Sequence, residues 1–166
     1  MMIPRLKVAL ALSALTAAAA LGIAFASEWY GGLVPCALCL IERWPYRIAI
    51  ALGLVGLVLP RALARIALVL LALSILAGAA AASVHVGVEQ QWWPSPLPEC
   101  AAPKFATGSI ADRLASMPAK PSKPCDEPIY LIPGLPVSMA AMNLIFALGF
   151  AGGIATFLWT TRRSAP

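Results

Sequence analysis

The run IALVLLALSILAGAAAASV, residues 66–84, carries no charge. It is about as long as an α-helix must be to cross the hydrocarbon core of a bilayer. Val8–Ala26 and Ser138–Trp159 are also uncharged and of similar length. A fourth stretch, Trp44–Leu59, contains only Arg47 and is shorter unless Leu40 and Ile41 join it. None of these stretches alternates with period two, so they read as helices rather than barrel strands. The chain has 166 residues, 61% hydrophobic and 11% charged, too few charges for the surface of a soluble domain of this size. The expected fold is an all-α membrane protein, a four-transmembrane-helix bundle forming a single domain over residues 1–166. Its spans are placed near 8–26, 44–59, 66–84 and 138–159.

The net charge of +5 comes without a basic run, which argues against nucleic acid and for membrane topology. Arg5 and Lys7 precede the first span, Arg61 and Arg65 join the second to the third, and Arg162 and Arg163 follow the fourth. These short segments hold no acid. The six remaining basic residues are spread over longer loops with all seven acids. The density of Lys and Arg in short segments predicts that both termini are cytoplasmic and that outer loops 27–43 and 85–137 face the other side. All four cysteines then lie where disulfides persist. Arg5, Lys7, the apolar run and Ala24-Phe25-Ala26 also mimic a cleavable signal peptide, but the run exceeds a usual signal core, so a retained span is expected.

The first outer loop is broken by Gly31-Gly32 and Pro35 just before Cys36. The second holds ten prolines, which exclude extended regular structure over most of it. One short amphipathic helix is expected there. Ser109-Ile110-Ala111-Asp112 looks like a capping box, and Ile110, Leu114 and Met117 share a face. Such a helix lies on the membrane surface or packs on the span ends. Trp29, Tyr30, Trp92 and Trp93 are placed as interfacial anchors.

Cys36-Ala37-Leu38-Cys39 stands at the mouth of the second span. A helix start favours thiolate, because unpaired N–H groups and the positive end of the dipole meet there. At 100° per residue, Cys36, Cys39, Arg43 and Arg47 fall within an arc of about 80°. Pro45 either breaks this stripe or begins the span proper. Arg43 needs a partner at the membrane edge. It can pair with Glu42 or reach headgroups, or it can donate to a polar acceptor bound beside Cys39; the neighbouring dithiol favours the last. A zinc site built on the CxxC lacks a second pair of suitable spacing, so no metal is expected.

Cys100 and Cys125 are expected to join each other. As a plain staple, this closure is worth about 3.5 kcal/mol. The surrounding segment is poor in core residues, so it reads as mobile, with an exposed disulfide open to a partner's thiolate.

The stretch Pro35-Cys36-Ala37-Leu38-Cys39-Leu40-Ile41-Glu42-Arg43-Trp44-Pro45-Tyr46 resembles the signature of the disulfide bond formation protein B family. Trp93-Pro94-Ser95-Pro96 before Cys100 is similar to that family's approach to its third cysteine, and Cys125 and the last span fall where the family has them. The resemblance covers nearly the whole chain, and the CxLCxxER stretch is its most specific part. It implies a four-helix bundle of the bacterial inner membrane that reoxidises a periplasmic DsbA-like dithiol oxidase and passes the electrons to a quinone, ubiquinone or menaquinone. By position, Cys100 would form the mixed disulfide, Cys125 would be released to attack Cys36, and Cys39 would be left as a thiolate at the quinone. Arg43 matches the family's quinone-contacting arginine. Family members often carry a histidine near the outer end of the third span. That gives His85 a quinone-side role, beside the plainer reading of an interfacial histidine.

Two other classes compete. Vitamin K epoxide reductase relatives also use a four-helix bundle, but their active CxxC lies late in the chain. A non-catalytic tetraspan protein stapled by two disulfides would need no quinone.

Overall fold

The computed structural model describes residues 2–100, 109–115, 123–132 and 134–163. Among these residues five helices follow in order: α1 Met2–Trp29, α2 Ala37–Val58, α3 Arg61–Glu89, α4 Ile110–Ala115 and α5 Met139–Arg163. A single 3₁₀ turn spans Pro98–Cys100. No strand occurs among the described residues. α1, α3 and α5 are long and apolar enough to cross a membrane, so the chain is a multi-pass helical membrane protein. α2 has 22 residues but carries Glu42, Arg43 and Arg47.

The helices outrun the apolar stretches that predicted them. α2 begins at Ala37 rather than near Trp44, and α3 continues to Glu89. Hydrophobicity marks what is apolar, whereas a helix continues as long as its backbone bonds are made and its polar side chains find partners. His85 and Glu89 are therefore helical, not the start of a loop. Pro45 also does not break α2. Its ring lies against Gly78 of α3, where an added Cβ would sit 3.1 Å from the proline Cβ. The Pro45 carbonyl accepts a hydrogen bond from Ser74 Oγ at 3.0 Å. A neighbouring helix thus accommodates the proline, as bundles in membranes allow.

α2 packs on α1 and α3, and α3 packs on α5. The core is made of Leu10, Leu68, Leu71 and Ile75 with many alanines. Small residues let the backbones approach: a Cβ on Gly53 would lie 2.7 Å from the Ala14 methyl. At the far end, Lys7 Nζ donates to the carbonyls of Gly56 and Leu59 at 3.0 and 2.6 Å. A cation thereby satisfies carbonyls that the end of α2 leaves unpaired. α1 and α5 barely touch. The cleft between them is the feature on which the site depends.

The capping box at α4 is formed. The Asp112 backbone N–H donates to Ser109 Oγ at 3.2 Å, and the Ser109 N–H donates to Asp112 Oδ2 at 2.9 Å. Ile110 is exposed. Met117 lies outside the described residues.

Candidate functional site

Cys36 is the N-cap of α2, and its sulfur accepts the Cys39 backbone N–H at 3.3 Å. One helical turn brings the Cys39 sulfur to 3.0 Å from it, and the two thiols share a hydrogen bond. This is a dithiol, not a disulfide. The Cys36 thiol is held well below its usual range. The hydrogen bond from Cys39 is the main cause; the adjacent His85 ring and the Cys39 N–H add to it, while burial opposes it.

Cys100 and Cys125 form a disulfide, as expected from their place in the sequence. Its setting corrects the expectation of an exposed bond. Cys100 is 4% exposed and Cys125 is fully buried. The two pack in one cluster with Cys36, Leu38 and Val88, flanked by Leu97 and Cys39. An apolar disulfide beside Leu97 packs on residues of α2 and α3, so hydrophobic burial holds it there. Nearby, Trp93 lies across Gly87 and donates its indole N–H to the Val84 carbonyl at 3.1 Å. A Cβ at Gly87 would fall 2.0 Å from the Trp93 ring. Trp93 thus packs over this end of α3 while staying 44% exposed, and Trp29, Tyr30 and Trp92 are more exposed still.

Arg43 does not pair with Glu42. Its guanidinium grips Glu28 in a two-pronged pair, Nη2–Oε1 2.9 Å and Nη1–Oε2 3.0 Å. It also lies 5.0 Å from the Phe25 ring centroid. Arg47 leaves the expected stripe, is exposed, and stacks on Trp44 at 5.1 Å. It sits one step off the buried line of Glu42, Arg43, Tyr46 and Ala49.

Glu42 instead belongs to a buried polar chain that sequence reading did not find. Glu42 Oε1 is 2.7 Å from His85 Nδ1, and Oε2 accepts Asn143 Nδ2–H at 2.6 Å. The Tyr46 hydroxyl donates to Asn143 Oδ1 at 2.5 Å. The other ring nitrogen of His85 faces the Cys36 sulfur at 3.4 Å. His85 is 2% exposed, so it is not an interfacial histidine. It backs Cys36 and takes no part in the cavity wall described below. Below it, Glu89 accepts from Ser138 Oγ at 2.5 Å, and Ser138 Oγ accepts the Ala141 N–H at the start of α5. The signal for this chain was present in the sequence: an amide and carboxylates inside apolar helices require partners. Which partners they meet depends on α2, α3 and α5 coming together.

Cys39, Glu42, Arg43 and Tyr46 face a cavity of about 480 Å³ between α1 and α5. Its far walls are apolar, with Leu15 and Ile23 from α1 and Met142 and Phe146 from α5. One of the two thiols and the paired arginine thus stand together at the polar end of an apolar chamber. Its volume is within the range of cofactor sites.

No curated protein and no solved structure matches the chain. A family model, Disulfide bond formation protein DsbB, matches residues 6–157, which span both cysteine pairs and all the helices that build the cavity. With that match over most of its length, the chain belongs to the DsbB family, whose work is the formation of disulfide bonds.

Proposed function

We propose that this protein is a protein-disulfide oxidoreductase that reoxidises a DsbA-like thioredoxin-fold oxidase in the periplasm and delivers the electrons to a membrane quinone. The observation that carries the reading is the position of Cys39 and Arg43 on the wall of the 480 Å³ apolar cavity, with the Cys100–Cys125 disulfide packed in the same buried cluster as Cys36. The chamber fits a flat ring with an apolar tail. It is bounded by aliphatic and aromatic side chains, with hydrogen-bonding groups at one end. Ubiquinone and menaquinone both meet that description. A quinone held there supplies the two-electron acceptor.

The chain's own residues carry the exchange. A partner thiolate attacks Cys100; the Cys100–Cys125 bond breaks and Cys125 leaves as a thiolate, so one disulfide is exchanged for another. The partner's second thiol then releases the oxidised partner. Passing the oxidising equivalent between the pairs requires Cys125 to attack Cys36 of an oxidised Cys36–Cys39 bond, leaving Cys39 as thiolate at the cavity wall. The start of α2 favours negative charge on these sulfurs. Arg43, fixed by Glu28, holds a positive charge at the cavity. The Glu42 and His85 pair keeps a ring nitrogen against Cys36.

α2 serves as the fourth span in this reading. Its charges lie in its first half, where Glu42 and Arg43 are internally partnered, and its second half is apolar. Both termini are cytoplasmic, the cysteines periplasmic, and the membrane is the bacterial inner membrane.

The deciding experiment uses the purified full-length protein in lipid nanodiscs with a reduced DsbA-like protein and a soluble quinone. The expected result is that partner thiols disappear and quinone is reduced in equal amounts. A quinone analogue should also change the visible absorbance of the protein. Partner oxidation that proceeds equally well without quinone would overturn the reading.

A further inference from the structure

The dithiol and its histidine form a second kind of site. Cys36 Sγ, Cys39 Sγ and a ring nitrogen of His85 all lie within 4.8 Å of one another. The sulfurs are 3.0 Å apart, and His85 Nε2 is 3.4 Å from Cys36 Sγ. On a tetrahedral zinc ion, two thiolates stand about 3.8 Å apart, and a thiolate and an imidazole nitrogen about 3.6 Å. The pair therefore has to open by only about 0.8 Å to take such an ion. We propose that the reduced Cys36–Cys39 dithiol and His85 form a binding site for a thiophilic divalent cation, zinc foremost.

Two further observations favour it. His85 Nδ1 is fixed on the Glu42 carboxylate at 2.7 Å, which leaves Nε2 to face the sulfurs. A carboxylate behind a histidine in this way is the usual support of a zinc-ligating ring. Two of the three ligands are buried, Cys36 and His85 each 2% exposed, and Cys39 is partly buried. A dication on two thiolates is neutral overall, which suits a site where a lone charge would be costly. When the metal enters, the protons still on the two sulfurs leave to water. Disulfide formation removes both thiolates, so metal binding and oxidation exclude each other, and bound zinc withholds the pair from exchange.

The inference needs only the reduced pair and is independent of the quinone reading. The test uses the full-length Cys100→Ser/Cys125→Ser protein, so that only the buried pair offers thiolates. It is reduced, titrated with Co²⁺ and Zn²⁺, and compared with its oxidised form. We expect one metal per chain, with sulfur-to-cobalt absorbance in the reduced form and none in the oxidised. His85→Ala should weaken binding at least about tenfold, and Glu42→Gln by roughly 10- to 100-fold. X-ray absorption at the zinc edge requires no further substitution and should show two sulfurs near about 2.3 Å and one nitrogen near about 2.0 Å. Reduced, folded protein without a sulfur-to-cobalt band would overturn the proposal. So would a zinc shell without nitrogen, or equal affinity in a folded His85→Ala protein.

Discussion

The two cysteine pairs are built in contrasting ways. Cys36 and Cys39 are separated by one helical turn at the start of α2, and their sulfurs are set by backbone geometry, a shared hydrogen bond and a histidine. Cys100 and Cys125 are 25 residues apart in sequence and lie outside the long helices. Their covalent bond and its burial against Leu38 and Val88 hold them. The difference teaches what each pair is suited for. In the proposed function, a thiol that stands beside a bound quinone ring benefits from a rigid helical frame. In the proposed relay, a disulfide that meets first a soluble partner and then a second pair benefits from standing outside the rigid helices. Cys100 is nearly inaccessible in this arrangement, so the proposed exchange with a partner requires the disulfide to leave its packing against Leu38 and Val88.

The sharpest way to break this comparison is to remove one sulfur from each pair. Cys100→Ser should abolish oxidation of the protein partner, while a small dithiol still drives quinone reduction through Cys36 and Cys39. Cys39→Ser should do the reverse: the loop disulfide accepts a partner's electrons once, and turnover to quinone stops. Quinone-reduction assays with both donors decide it. A Cys100→Ser protein that turned over the partner at the parent rate would make the loop pair a mere staple.

A second, smaller effect should fall on the cavity side alone. Arg43→Ala removes a charge-assisted donor worth about 1.5–3 kcal/mol, a loss of roughly ten- to hundredfold in quinone coupling. Thiol exchange at Cys100–Cys125 should not change. Titration with a quinone analogue and single-turnover partner oxidation separate the two. Equal losses in both would mean that the pairs are not mechanically distinct.

The loop side has its own probe. Gly87→Ala places a methyl 2.0 Å from the Trp93 ring, so Trp93 must move. The expected cost is about 1–3 kcal/mol of stability. Reduction of Cys100–Cys125 by a soluble thiol should become faster, with quinone-analogue affinity unchanged. Thermal melting and the reduction rate measure this, and an unchanged rate would argue that Trp93 does not hold the segment down.

The smallest effect belongs to Glu28. Glu28→Gln keeps the shape but weakens the clamp on Arg43, worth about 1 kcal/mol or roughly fivefold in quinone affinity. A loss as large as that of Arg43→Ala would place Glu28 itself in contact with the ligand.

Labelling intact cells with a membrane-impermeant thiol reagent, after reduction, tests the side on which both pairs lie. Labelling that appears only once the inner membrane is breached would reverse the topology.

The sequence by itself determined the class of the protein. Uncharged runs of bilayer length can only be satisfied as helices in lipid, so α1, α3 and α5 were legible from Val8–Ala26, Ile66–Val84 and Ser138–Trp159. The CxLCxxER stretch was legible because helix starts and dithiol spacing are local, a matter of a few residues. The capping box at Ser109 was legible for the same reason. What lay beyond reading was every partner chosen across helices. Arg43 sits next to Glu42 in the chain, yet consecutive residues on a helix point apart by about 100°. Arg43 consequently meets Glu28, and Glu42 meets His85 and Asn143. Tertiary packing alone decided that the Cys100–Cys125 bond is buried, that Pro45 is received by Gly78, and that α1 and α5 stand apart to leave a chamber beside Cys39. Hydrophobic pattern fixes which residues leave water, but the fit of small and large side chains between helices fixes which of them meet.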